Sequence, residues 1–245
     1  MLRVWLVAVF LFLAFGCASA KKDTRNIDDV LGANSWKANE AVMKAAERTG
    51  NYEVGLLSGQ KELDARPDNK QARIFMARLQ TMAGTPDRAL YTLEPLKDDA
   101  NPEARLEWGR ALLRDNQIVE AKEILEKLIN LDGDLPVKRS ARKLYAISQD
   151  LQGKRDDAQK LFRELLVERD EPTVRFNLGG SLVASNKFDE AIAILQPLLD
   201  TPRFMEARFL TAAALSRKND KKAARNLLEG YLPEPEIRRL LGEKL

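Results

Sequence analysis

The stretch Thr173 to Leu199, TVRFNLGGSLVASNKFDEAIAILQPLL, carries two apolar stripes separated by a polar break at Asn186-Lys187. Phe176, Leu178, Leu182 and Val183 form the first stripe, and Phe188, Ile192, Leu195 and Leu198 the second. Their spacing is that of one face of a helix in each half. Each half also contains a small residue, Gly179 or Ala191. The stretch therefore predicts two short helices folded back on each other as a hairpin.

The same arrangement recurs along the chain. An Ala-Arg or Val-Arg pair opens five segments, at Arg73, Arg105, Arg142, Arg175 and Arg208. Four residues after each arginine comes a small residue: Ala77, Gly109, Ala146, Gly179 and Ala212. Twelve further on comes another: Ala89, Ala121, Ala158, Ala191 and Ala224. The steps between arginines are 32, 37, 33 and 33 residues, yet the offsets inside each unit are constant. Variation is confined to the linkers. A hairpin requires this, because a larger side chain at the close approach would overpack by ~1–3 kcal/mol, whereas linkers tolerate length changes. A more degenerate unit precedes these, in GNYEVGLLSGQKELDARPDN, with Gly55 placed 34 residues before Ala89. Its first helix is expected over Trp36 to Arg48, with Ser35 as N-cap.

These features resemble the tetratricopeptide repeat, whose pattern is W-x2-L-G-x2-Y, then A-x3-F, then P, over about 34 residues. Leu178-Gly179 supplies the L-G, Leu182 the Y position, Ala191 the A and Leu195 the F, with Pro202 near the closing P; Arg175 stands where the pattern has Trp. The resemblance implies an all-α chain, an α-solenoid of about six helical hairpins. The units are expected near residues 35–67, 70–101, 102–135, 138–170, 172–202 and 204–233. A capping helix is expected within 234–245, over Glu236 to Lys244, covering the last hairpin.

The N-terminus reads as a targeting segment of residues 1–16. Arg3 precedes an apolar run, Val4 to Phe15, of 12 residues, too short to span a bilayer as a helix. Ala14-Phe15-Gly16-Cys17 resembles a bacterial lipobox and makes Cys17 the lipidated residue. Ala18-Ser19-Ala20 offers the alternative, an A-x-A site whose cleavage would leave a soluble exported protein. With Ala18 following the lipidated cysteine, the sorting rule of diderm lipoproteins implies the outer membrane, on its periplasmic face. The polar remainder of residues 17–34 reads as a flexible tether.

Absences constrain chemistry. The 245 residues include no histidine and one cysteine. Ser-His-Asp and Cys-His arrangements, thiolate metal sites and disulfides are thereby removed. Gly179-Gly180 follows no strand and is no phosphate loop. The carboxylate pairs Asp28-Asp29, Asp98-Asp99 and Asp156-Asp157 suit helix starts. The net charge of +3 is spread along the chain without a basic block, so a nucleic-acid partner is not expected. Neither an enzyme, a cofactor nor a metal is expected; the partner should be a protein.

In tetratricopeptide arrays the first helices line a concave groove. Register assigns Lys44, Ile74, Arg78, Leu106, Arg110 and Arg114 to its N-terminal half, and Phe176, Gly180, Val183, Phe209 and Ala213 to its C-terminal half. A segment with an acidic end and an apolar end would fit. The competing reading is a solvated charged face, with both phenylalanines packed between repeats. For the arginine column, pairing with acids or helix-end carbonyls competes with ligand binding. The segments YAISQDLQGKRDDAQKLFRELL and TVRFNLGGSLVASNKFDEAIAILQPL are similar to the TadD family, tetratricopeptide lipoproteins of the tight-adherence (Flp) pilus system. That resemblance implies a pilotin-like role, binding a secretin or a neighbouring pilus subunit from a lipid anchor. A type IV pilus pilotin, or an adaptor for peptidoglycan enzymes or β-barrel assembly, shares the layout.

Overall fold

A computed structural model of the chain describes residues 27–133, 136–201 and 204–243. The targeting segment and Cys17 lie outside them. Helices follow one another in antiparallel pairs: α1 (Ile27–Thr49) and α2 (Tyr52–Ala65), α3 (Lys70–Met82) and α4 (Pro86–Leu93), α5 (Pro102–Arg114) and α6 (Ile118–Ile129). Then come α7 (Pro136–Leu151) and α8 (Arg155–Glu168), α9 (Pro172–Ala184) and α10 (Phe188–Leu195), α11 (Met205–Arg217) and α12 (Lys221–Leu228), with α13 (Glu234–Leu240) last. Among the described residues these six hairpins and a terminal helix make an all-α solenoid.

The bend of each hairpin is written in one residue. Gly50, Gly84, Asn116, Gly153, Asn186 and Asn219 all have positive φ, between 58° and 83°. Each of the last five lies eleven residues after its repeat's arginine. Only glycine and asparagine occupy this left-handed region at little cost. The following amide then closes back on the helix. Thr85 donates to the Gln80 carbonyl, Gln117 to Leu112, Lys154 to Gln149, Lys187 to Leu182 and Asp220 to Leu215, each at 2.9 Å. This is the Schellman closure, and it satisfies carbonyls the helix end would leave open.

The small residues do their work by receiving a large one. A Cβ on Gly109 would stand 2.9 Å from Leu125 Cδ2, and one on Gly179 only 2.4 Å from Leu195 Cδ2. The leucine at the pattern's F position therefore seats on bare backbone. In the first repeat the sizes are exchanged: Met43 fills the site of the small residue, and its Cε approaches Gly59 at the F position, 3.0 Å from where a Cβ would be. Volume across the hairpin is kept while knob and hole swap sides, which is the kind of change a packed core accepts. Ala89, Ala121, Ala158, Ala191 and Ala224 are all fully buried.

Two boundaries differ from the sequence expectation. Helix α1 begins at Ile27, so residues 27–34 are helical rather than tether, and Ser35 lies inside the helix rather than at its cap. Once Trp36 onwards is helical, extension needs no new nucleus. The terminal helix is shorter than expected, Glu234–Leu240. Its Ile237, with Leu241 just beyond, joins Ala212, Ala224 and Leu228 in the last core cluster, closing the stack.

Candidate partner-binding groove

First helices pack on one another directly, α3 on α5, α5 on α7 and α9 on α11, whereas a second helix reaches the next repeat mainly through that repeat's first helix. The first helices thus occupy the tighter, inner side of the array. On that side lies a hollow of about 530 Å³ shared by α3, α5, α7 and α9. Leu113, Leu144, Ile147 and Leu151 give it apolar walls, and Arg110, Arg114, Asn116 and Asn177 its polar groups. Among the described residues no carboxylate lines it.

Counting from the repeat arginine, Thr81 and Leu113 stand at position eight and most of the lining falls at positions two, five and nine: Leu144 and Asn177, Arg110 and Ile147, Arg114 and Leu151. These three positions form one stripe, since residues three and four apart are neighbours on a helix. Position one lies off it. Ile74 and Leu106, expected in the groove, are 1 % and 5 % exposed and belong to the core of repeats 2 to 4. Phe176 stacks at 6.0 Å on Phe204 and packs on the cluster of Leu195, Leu198 and Ala207. Phe209 packs on the last cluster and Val183 on that of repeats 4 and 5. Position one is thus an inter-repeat contact, and the apolar part of the groove sits at repeats 3 and 4.

The basic residues are unequal. Lys44 is paired with Glu40 at 2.6 Å. Arg78 and Arg110 both donate through Nε to Glu107, at 2.9 and 2.8 Å, and Glu107 is 1 % exposed. Arg78 also lies over the Phe75 ring at 5.3 Å. Arg114 is exposed and has no ion pair or hydrogen bond through its guanidinium among the described residues. A buried acid thus holds two of the groove's cations, and one remains open to a ligand. Glu107 has no sequence signal beyond its place at position two, where other repeats carry Phe75, Leu144, Asn177 and Leu210.

The arginine column is structural. Arg73 donates to the Pro67 and Thr92 carbonyls at 2.6 and 3.2 Å, and Arg105 to the Asp99 carbonyl at 3.2 Å. Arg175 grips Asp170 with two bonds of 2.6 and 2.7 Å, Arg142 pairs with Glu164 and Glu168, and Arg208 bonds the Leu199 and Leu227 carbonyls. Most tie the first helix to the linker before it, a use suited to a planar donor fork.

Linker acids answer these cations. Burial pushes the Glu171 carboxyl up, but Lys143, the Thr173 hydroxyl and Arg169 outweigh it and hold the group down to about 2. A carboxylate with a depressed pKa contributes stability that is full above its unfolded value, near 4.5, and is lost as pH falls towards the folded one. Thermal stability is therefore expected to fall between pH 5 and about pH 2, and Lys143→Met should flatten that fall. A Lys143→Met profile parallel to wild type would refute the assignment.

Among the described residues no cluster of histidine, cysteine or carboxylate side chains could hold a metal, and no helix is long and apolar enough to cross a membrane.

Fold and inner face together define a helical-repeat solenoid with an open, positively charged groove. Tetratricopeptide-repeat family models match residues 103–134 and 146–236. The chain belongs to the tetratricopeptide-repeat family. No curated protein matches it in sequence. Among solved structures it is similar to PilW, described as a widely conserved type IV pilus biogenesis factor, with a TM-score of 0.66 and 17 % identity over 83 % of this chain and 96 % of that one. It is likewise similar to PilF of Pseudomonas aeruginosa, with a TM-score of 0.63 and 17 % identity over 87 % and 99 % of the two chains. A thermophilic tetratricopeptide protein of Thermus thermophilus gives a TM-score of 0.63 at 19 % identity over 75 % and 98 %. At these identities the likeness is one of fold.

Proposed function

We propose that this protein is a non-enzymatic scaffold, anchored through lipidated Cys17 to the periplasmic face of the outer membrane, that holds a subunit of a pilus or secretion machine. The observation that carries this reading is the hollow of repeats 3 and 4. Its apolar walls, unpaired Arg114 and lack of lining acids suit a protein segment that presents an apolar side chain next to a carboxylate. Support for the pilus setting comes from the lipobox-like Ala14 to Cys17, the TadD resemblance and the fold shared with PilW. A secretin is the preferred partner, in the manner of a pilotin.

A deletion strain is expected to lose heat-resistant secretin multimers from its outer membrane and to regain them with the wild-type gene. Cys17→Ala should not restore them. Arg114→Glu combined with Leu151→Asp should also fail, although both side chains are exposed and the protein should accumulate normally. Multimers that persist in the deletion strain would overturn the secretin reading and favour an adaptor for peptidoglycan enzymes or β-barrel assembly. Full rescue by the double variant would remove the hollow from the mechanism.

A further inference from the structure

A second cleft lies on the opposite, outer side of the array. Because second helices spread apart, α2 and α4 leave a hollow of about 420 Å³ between them, floored by α3. At its base sits Gln80, only 6 % exposed, whose Oε1 accepts no hydrogen bond. Repeats 3, 5 and 6 carry Leu112, Leu182 and Leu215 at this position, and repeat 4 carries Gln149, whose Oε1 is likewise buried without a donor. A buried acceptor without a donor is unfavourable where leucine would serve, and of the two Gln80 is the one that lines the cleft between α2 and α4, where a donor from outside can reach it.

The rim points to the source. Leu57 and Tyr91 hold the same position on α2 and α4, two residues after Gly55 and Ala89, and are 67 % and 83 % exposed. The later repeats place Glu123, Lys160, Ala193 and Asn226 there. At this position a large apolar or aromatic side chain thus occurs in repeats 1 and 2 alone. Glu53 on α2 and Arg88 on α4 both line the cleft, are exposed, and have no ion pair or side-chain hydrogen bond among the described residues. Arg88 and Tyr91 lie one helical turn apart on one stripe of α4, as Glu53 and Leu57 do on α2.

The patch is therefore its own complement: an acid and a base, an apolar surface, an orphan acceptor, and a tyrosine hydroxyl free to donate. We propose that this cleft is the interface between two copies of the chain. In an isologous pair α2 of one copy faces α4 of the other, so each Arg88 meets the other copy's Glu53. Tyr91 enters the opposite cleft and gives its hydroxyl proton to Gln80 Oε1. A bilayer would supply no donor at that depth and would meet an uncompensated Glu53.

Photo-cross-linking in cells tests this with the full-length chain carrying p-benzoyl-phenylalanine in place of Gln60, an exposed residue that lines the cleft and leaves Tyr91 intact. The expected adduct has twice the mass of one chain. Glu53→Arg or Arg88→Glu alone should each lower its yield about tenfold, since like charges then meet at two symmetry-related places. The double exchange of both residues should restore the yield, which only a self-complementary surface can do. Leu57→Asp should abolish the adduct at unchanged protein level. An adduct with a different chain, no adduct, or failure of the double exchange to restore it would overturn the proposal.

Discussion

Gly179→Val is expected to lower the stability of the array by about 3 kcal/mol, the upper range for forcing extra atoms into a packed core. Even the first added carbon would stand 2.4 Å from Leu195 Cδ2 and 2.5 Å from its Cγ. Neither leucine atom can move away freely, because Leu195 is fully buried. Relief must come from separating α9 from α10, which also disturbs the packing of Phe176 on Leu195 and Leu198. Leu195→Ala alone should cost about 2–5 kcal/mol through the cavity it leaves. Combined with Gly179→Val the two losses should be well short of additive, since the new side chain then occupies the vacated space. Urea titrations followed by circular dichroism would measure all four species. Simple additivity would mean that the two residues do not share a site.

Glu107→Ala should be about as damaging, by about 3 kcal/mol, the low end for breaking a buried ion pair. Removing one member of a buried ionic group leaves its partners uncompensated. The loss sits at the low end because Arg78 and Arg110 keep 27 % and 29 % of their side-chain surface and can turn towards water. Replacing the whole group, with Arg78→Met, Glu107→Leu and Arg110→Met together, should cost much less than the single change, because no buried charge is then left unpaired, and Glu47, 3.9 Å from Arg78, keeps 34 % of its side-chain surface in water. The same urea titration decides the matter. A loss below about 1 kcal/mol for Glu107→Ala, the range of an exposed ion pair, would show that the carboxylate is better solvated than its burial implies. The alanine variant also releases Arg110 into the groove, while Arg78 keeps Glu47 at 3.9 Å, so partner affinity and stability should move in opposite directions.

Glu107 also shows where reading the chain stops. In sequence it is one more charged residue on a helix with Glu103 and Arg110, and nothing local separates it from a solvated acid. Its burial follows from the next helix over, which brings Arg78 against it. The groove register went astray in the same way. Positions one, five and eight and positions two, five and nine are both continuous helical stripes. Position one of the first, with Ile74, Leu106 and Phe176, is the more apolar in several repeats, and it is that position which contact between repeats consumes. The second is left open, and its apolar residues are concentrated in α7, as Leu144, Ile147 and Leu151.

What the sequence determined by itself is the repeat: arginine at the start, a small residue four later, glycine or asparagine at the bend, alanine on the returning helix. Each of these acts within about twenty residues, through backbone geometry and the close approach of two adjacent helices, so each leaves a fixed spacing in the chain. Which face of each helix remains open was decided by tertiary structure alone. That depends on how one hairpin is rotated on the next, and the rotation is set by side-chain volumes and buried charges from three repeats at once, for which no local spacing exists.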